Sequence, residues 1–339
     1  MSHEEIDLES GATVKSDGQP AERTTEPTVR FDVDKDDLAS EIAPGMNNTQ
    51  LVDAILSIGP EKFIPYRSVE LPSRGIYYNW PNGMVDVKGM SQTTEAVMSD
   101  QSLVRTGQAI DYVFRECVKL PNGMDPVDLI VGDRIFLLYY IRGRTFGNVY
   151  EFVLPCGACN KESPYVYDLN DLASTIIYAN HADGVEPFEV QLPGISETMG
   201  QPIRVGIKFA RGRDTKTQAT PMRSNTGISK AHNKSSGNPF SKIRERNQAE
   251  KAIKAFKEDG LKTVVVSVQG VYDPDKVEAF IKILGLDDRT FIWDWLRTHT
   301  PGPDTMIEVD CPKCGEKAQV MLPITDSFFR KSKHRADGS

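Results

Sequence analysis

An α+β fold, mainly helical, is predicted by three patterns in this sequence. Apolar residues recur at helical spacing in several segments, as in Ile110, Val113, Phe114, Cys117 and Val118. Two Asp-Pro pairs, Asp125-Pro126 and Asp273-Pro274, carry the chemistry of helix starts, an N-cap acid followed by proline at the first helical position. Two Cys-x-x-Cys pairs, Cys156/Cys159 and Cys311/Cys314, are each flanked by alternating, strand-like stretches. Helical hairpins leading into two strand–turn–strand units account for all three.

In chain order, Leu51–Ile58 reads as a short helix with Asn48 or Thr49 as its N-cap. Phe63–Tyr78 reads as extended and Val85–Val87 as a short strand. A helix from Thr94 to Lys119, broken near Asp100 or Gly107, leads to an Asn122-Gly123 turn. Asp125-Pro126 opens a helix to Arg142, apolar almost all round through Ile135–Ile141 and therefore suited to the middle of a packed core. The first Cys pair follows, then a helix-like Leu169–Tyr178 and two paired strands, Phe188–Leu192 and Ile203–Phe209. Ala249–Glu258 is helical. Val264–Val271 fits strand or helix, which periodicity cannot separate in so short a run. Asp273-Pro274 starts a helix through Val277, Phe280, Ile281 and Leu284, stopped by Gly285. Asp287 caps a last helix carrying Phe291, Trp293 and Trp295.

A strand, a tight Cys-x-x-Cys turn and a returning strand form a zinc knuckle, and two knuckles supply the four thiolates of a tetrahedral structural site. Cys156, Cys159, Cys311 and Cys314 are thus the candidate ligands of one structural zinc in a zinc-ribbon-like site. Such a site has no open position for substrate. A redox dithiol or buried free thiols are the other readings of a Cys-x-x-Cys pair, but the redox motif needs a helix at its second cysteine, and extended sequence follows here. Cys117, on an apolar helical face, reads as a small core residue. His299 is the one histidine near a knuckle, and the fourth cysteine makes it unnecessary as a ligand.

The 339 residues divide by composition. Residues 1–45 are acidic and poor in large apolar groups, and read as a disordered tail. Residues 46–210 form an N-terminal helical part with the first knuckle, and 248–330 a C-terminal part with the second. Between them, 211–247 reads as a flexible basic insertion with Arg211, Arg213, Lys216, Arg223, Lys230, Lys234, Lys242, Arg244 and Arg246. It is either a solvated loop or a contact to nucleic acid or an acidic surface. Residues 331–339 form a basic tail. No apolar run reaches the ~18 residues a membrane span needs. The start, Met1-Ser-His-Glu-Glu, has no secretory character, and with reduced thiols this points to synthesis in a cytosol. The net charge of −8 gives no general attraction to nucleic acid. Phosphate-cradling, dinucleotide, nucleophile-elbow and HExxH motifs are absent, so no enzyme, small-molecule substrate or catalytic residue is expected.

The run Val69-Glu-Leu-Pro-Ser-Arg-Gly-Ile-Tyr-Tyr78, then Ile110–Val118, Gly132-Asp-Arg-Ile-Phe-Leu-Leu138, Ile141–Gly147, Tyr150–Cys159 and finally Cys311-Pro-Lys-Cys-Gly315 with Ser327-Phe-Phe329 resembles the baseplate hub and hub-assembly proteins of T-even-like contractile-tailed bacteriophages. The likeness covers residues 60–210 and 260–330; the acidic tail and the basic insertion depart from it. It implies a structural or assembly protein that docks to other hub proteins in the host cytoplasm and remains in, or helps build, the tail baseplate. Specific nucleic acid and membrane are not among the implied partners. The candidate interface comprises Leu71, Pro72, Tyr77 and Tyr78 on the extended arm, which can pack on its own helices or clip onto a neighbour, and Phe291, Trp293 and Trp295, which suit a helix core or an interface. The rival class is a zinc-ribbon nucleic-acid-binding regulator using the basic insertion; a thiol oxidoreductase is a third.

Overall fold

The computed structural model describes residues 47–57, 64–217 and 260–329, apart from 79, 81, 101, 104–106, 122 and 325–327. The acidic tail, most of the basic insertion, the helix expected over Ala249–Glu258 and the basic tail lie outside the described residues. The architecture is α+β, with helices and several small antiparallel sheets. The helices are α1 (Asn48–Ser57), α2 (Gln92–Ser99), α3 (Gln108–Cys117), α4 (Val131–Phe146), α5 (Leu169–Ala173), α6 (Pro193–Met199), α7 (Gly212–Thr217), α8 (Pro274–Ile283) and α9 (Leu286–His299). One sheet joins β1 (Arg67–Glu70), β2 (Met84–Val87) and β3 (Val118–Lys119); another joins β6 (Phe188–Gln191), β7 (Arg204–Ile207) and β8 (Val265–Val268). Two hairpins, β4 (Val149–Pro155) with β5 (Glu162–Asp168) and β9 (Met306–Asp310) with β10 (Lys317–Met321), carry the cysteine turns.

The two Asp-Pro pairs behave differently. Asp273 caps α8, accepting from the N–H groups of Asp275 (3.0 Å) and Lys276 (3.3 Å). Asp125 accepts from Val127 N–H at 3.0 Å, but the helix it opens is a single 3-10 turn, Pro126–Asp128. The long helix starts only at Val131, because Ile130 is extended and bridges Arg211, and Val131 N–H donates to Ala210 O at 2.8 Å. Within the ambiguous run at 264–271, Val265–Val268 becomes strand β8, drawn into an antiparallel ladder by β7. The expected helix at Leu169–Tyr178 closes after Ala173. The expected break between α2 and α3 is present, with Gly107 at a left-handed φ of 76° before α3.

Two cores form. The first packs α3 and α4 against β1–β3 and both cysteine hairpins, with Phe114, Phe136, Leu137, Tyr139, Tyr150 and Phe328 each 1% exposed or less. The second packs the β6–β8 sheet against α8 and α9 through Val205, Ile207, Val265, Ile281 and Ile292. Both cores draw on the 46–210 and the 248–330 segments. Burying this much apolar surface is the main stabilising term, about 25 cal/mol per Å².

The junction of the cores is polar, with Asp133 and Ser73 fully buried. Asp133, in the first turn of α4, accepts from Ser73 N–H at 3.0 Å and from the Tyr78 hydroxyl at 2.7 Å. The same Tyr78 oxygen accepts from Ile130 N–H at 2.6 Å, and the Tyr78 ring touches both cores. One residue earlier, Gly132 lies against Pro301 and Gly302. A Cβ there would sit 1.7 Å from Pro301 O, so only glycine lets the chain pass. One residue later, Arg134 pairs with buried Asp111 at 2.9 Å and donates to Pro126 O at 2.6 Å.

Burial raises the Asp133 carboxyl to about 6, against a Tyr78 and Ser73 contribution that favours the anion. The native state therefore binds this proton more tightly than the unfolded chain. Stability from this group is fully present below the usual carboxylate range and is lost as pH rises to about 6. Relative to Asp133→Asn, the natural protein should gain roughly 3 kcal/mol between pH 7 and pH 4, about two pK units; parallel urea titrations at both pH values measure it, and an invariant difference would refute it. Gly132→Ala should cost about 3 kcal/mol through backbone overlap, read as a lowered Tm, because overpacking a close contact typically costs 1–3 kcal/mol and here the obstacle is main chain.

Candidate metal centre

The two cysteine turns are built alike. In the first, Cys156 N–H donates to Lys161 O (3.0 Å) and Asn160 N–H to Cys156 O (2.9 Å). In the second, Cys311 N–H donates to Glu316 O and Gly315 N–H to Cys311 O, both at 2.8 Å. Asn160 and Gly315, each directly after the second cysteine of its pair, take left-handed backbone angles of φ 55° and 73°. Asparagine and glycine are the residues that tolerate this conformation at least cost. Gly315 belongs to the Cys311–Gly315 turn motif read from the sequence, whereas Asn160 carries its signal only in its position directly after a Cys-x-x-Cys.

The two hairpins bring their cysteine turns together. Cys156 Sγ lies 3.6 Å from Cys314 Sγ, and Cys159 Sγ lies 3.8 Å from Cys311 Sγ. All four sulfurs lie within 4.8 Å of one another. The thiols are free, and these separations are far beyond the ~2.05 Å of a disulfide. Four sulfurs set ~2.3 Å from a central ion at tetrahedral corners stand ~3.8 Å apart, so the spacing fits a single four-thiolate metal ion. The donors also suit one. Lys313 N–H, with Cys314 N–H, points at Cys311 and lowers its thiol to about 6. Cys314 receives an N–H from Glu316, but desolvation beside the cluster and the other three sulfurs outweigh it and push the thiol up to about 12. Four thiols this close do not all ionise unless a cation neutralises them. Cys156 and Cys311 are buried and Cys314 is exposed, so the cluster sits at the surface with its inner half shielded. Tyr165 stands beside it, its hydroxyl raised by burial and by the neighbouring sulfurs.

The fifth thiol is elsewhere: Cys117 is fully buried, its S–H donates to Gly89 O at 3.7 Å, and burial pushes it up to about 12. His299 stacks on Trp295 at 4.3 Å and bonds Trp295 O through Nδ1.

The arm and the aromatic helix, placed apart in the sequence as two docking elements, meet inside the chain. Leu71 and Pro72 are buried, so they offer no surface to a partner. The Tyr77 ring meets Phe209 (5.1 Å) and Phe188 (5.9 Å) edge-on. Trp295 packs on the same two rings, at 6.2 and 5.3 Å. Phe291 and Trp293 are half-buried against the second core. Tyr77 from the arm and Trp295 from the helix thus share one aromatic cluster with Phe188 and Phe209, worth about 0.5–1.5 kcal/mol per pair beyond area burial.

The chain is α+β, its distant hairpins bring four thiols together, and no helix among the described residues is long and apolar enough to cross a membrane. Residues 87–330 match the model of the T4 bacteriophage base plate protein family, and the chain belongs to that family. This gives it a structural role in the phage tail, among other phage structural proteins. The matched stretch contains both cysteine pairs and the Gly132–Leu138 motif, while the Leu71–Tyr78 arm precedes it. No curated protein and no solved structure matches the chain.

Purified protein should carry about one metal ion per chain, and Cys156→Ser with Cys311→Ser should lose it and melt earlier, since binding to such a site is coupled to folding. Elemental analysis and thermal melts check this; metal and Tm both retained in the double variant would count against the site.

Proposed function

We propose that this chain is a zinc-stapled, non-enzymatic component of the baseplate hub of a contractile phage tail, working by docking rigid surfaces onto other hub proteins as the tail is built in the host cytoplasm. The family membership over residues 87–330 carries the baseplate part of this reading. The zinc part is supported by four thiol donors at tetrahedral spacing, a set that favours zinc among common ions and leaves no coordination position for substrate. In this reading Cys156, Cys159, Cys311 and Cys314 are the zinc ligands, and the hairpins are its two knuckles. The segments 46–210 and 248–330 act as one cooperative unit because the metal joins them, while 1–45, 211–247 and 331–339 are appendages.

The reading is tested by mass spectrometry of purified virions and tail subassemblies from a phage encoding this chain. The chain should be found in the baseplate or in its hub precursor, and a phage lacking it should stall before a complete baseplate. Normal tails without the chain would overturn the proposal. The regulator alternative makes an opposite prediction: a sequence-preferring DNA complex that survives physiological salt, whereas contacts from scattered basic residues weaken steeply as salt is added.

A further inference from the structure

We propose that the four-cysteine centre is also a redox-responsive latch. When its metal is lost and a low-molecular-weight disulfide is present, Cys156 joins Cys314 and Cys159 joins Cys311, so two covalent bonds take the metal's place between the hairpins. The proposal rests on the zinc reading above for the metal-bound state and adds what the same thiols do without the ion. The sulfur contacts carry it. Two direct approaches run between the hairpins, Cys156 Sγ to Cys314 Sγ at 3.6 Å and Cys159 Sγ to Cys311 Sγ at 3.8 Å. Closing each to the ~2.05 Å of a disulfide takes a movement of under about 2 Å. Exposure differs within each contact pair. Cys314 is exposed and Cys159 partly so, while Cys156 and Cys311 are buried. A small oxidant therefore reaches one sulfur of each pair, and the sulfur behind it is shielded from a second oxidant molecule. That arrangement favours an internal disulfide over two mixed ones. The two sulfurs of each Cys-x-x-Cys turn also lie within 4.8 Å, so bonding inside one turn is the competing outcome. Cys117 is fully buried in the first core beside Gly89 O and does not compete.

The chemistry balances. One thiolate of a pair attacks the small disulfide, whose S–S bond breaks and releases one small thiol. The neighbouring protein thiolate then attacks the protein sulfur of the mixed disulfide and expels the second small thiol. Each protein pair gives up two electrons and two protons, which leave on the two released thiols. A cytosol keeps thiols reduced, whereas disulfides persist outside cells. In the baseplate reading the chain passes from the first setting to the second. The gain is specific to this pairing. Bonds between the hairpins span 158 and 152 positions, and a disulfide stabilises more as its loop lengthens. A bond inside a Cys-x-x-Cys turn ties no distant segment.

The test uses the full chain. Its metal is removed with a chelator, oxidised glutathione is added, and linked peptides are mapped by mass spectrometry without reduction. Linkages of Cys156 to Cys314 and of Cys159 to Cys311 are expected, with a Tm at least about 5 °C above that of the reduced, metal-free protein. Bonds inside the turns, Cys156 to Cys159 and Cys311 to Cys314, would overturn the proposal. So would the absence of any disulfide, or an unchanged Tm. If metal removal unfolds the chain, the metal-loaded protein is oxidised directly, with a chelating dye recording metal release. The folded chain then reacts, and the same two linkages are expected; any other pairing would overturn the proposal. Purified protein that never holds metal would count against the zinc reading alone, because the pairing is read from the thiols without it.

Discussion

Asp133 is the group on which the two halves of this fold depend. Its carboxylate holds the Ser73 amide and the Tyr78 hydroxyl, and Tyr78 in turn holds Ile130, where the chain passes from the first core into the second. A buried acid is costly unless its oxygens are satisfied, and here both are used. The flanking residues complete the joint. Gly132 lets the backbone of 301–302 approach, and Arg134 reaches Asp111 and Pro126. Three consecutive residues of one helix therefore fix three distant segments.

The four-thiol cluster is a second long-range meeting of distant segments, and its logic differs. A two-stranded hairpin is marginal by itself. β9–β10 reaches the first core through Ile307, and the segment after it through Leu322 and Phe328. Phe328 stands edge-on to Tyr139 and Tyr150, each at 5.1–5.2 Å, while the hydroxyls of those tyrosines donate to Leu322 O and Pro323 O. This aromatic clasp fixes the end of the C-terminal hairpin opposite its cysteine turn and sets it over α4.

Much of the site was legible from the residues. Both Cys pairs, their flanking strands and their approach across 152–158 positions follow from motif spacing and alternation, because a four-ligand site needs two such pairs. The apolar run Ile135–Ile141 announced the buried helix. The arm and the Trp293–Trp295 helix were legible as apolar but not as partners of each other. Period and composition mark a side chain for burial without naming what buries it, and the Phe188 and Phe209 rings that join them lie between the two in sequence.

Local patterns by themselves determined the helix faces, the strand alternation, the cysteine turns and the family-like motifs of this chain. They did not determine where α4 begins, whether 264–271 is strand, or what Asp133 is for. Those were decided by tertiary structure: Ala210 and Arg211 pair with the segment just before α4, β7 offers β8 a ladder, and Asp133 finds partners 60 and 55 residues away. A hydrogen bond or close backbone contact between distant segments leaves no periodic mark on either, so it is set only when the cores assemble.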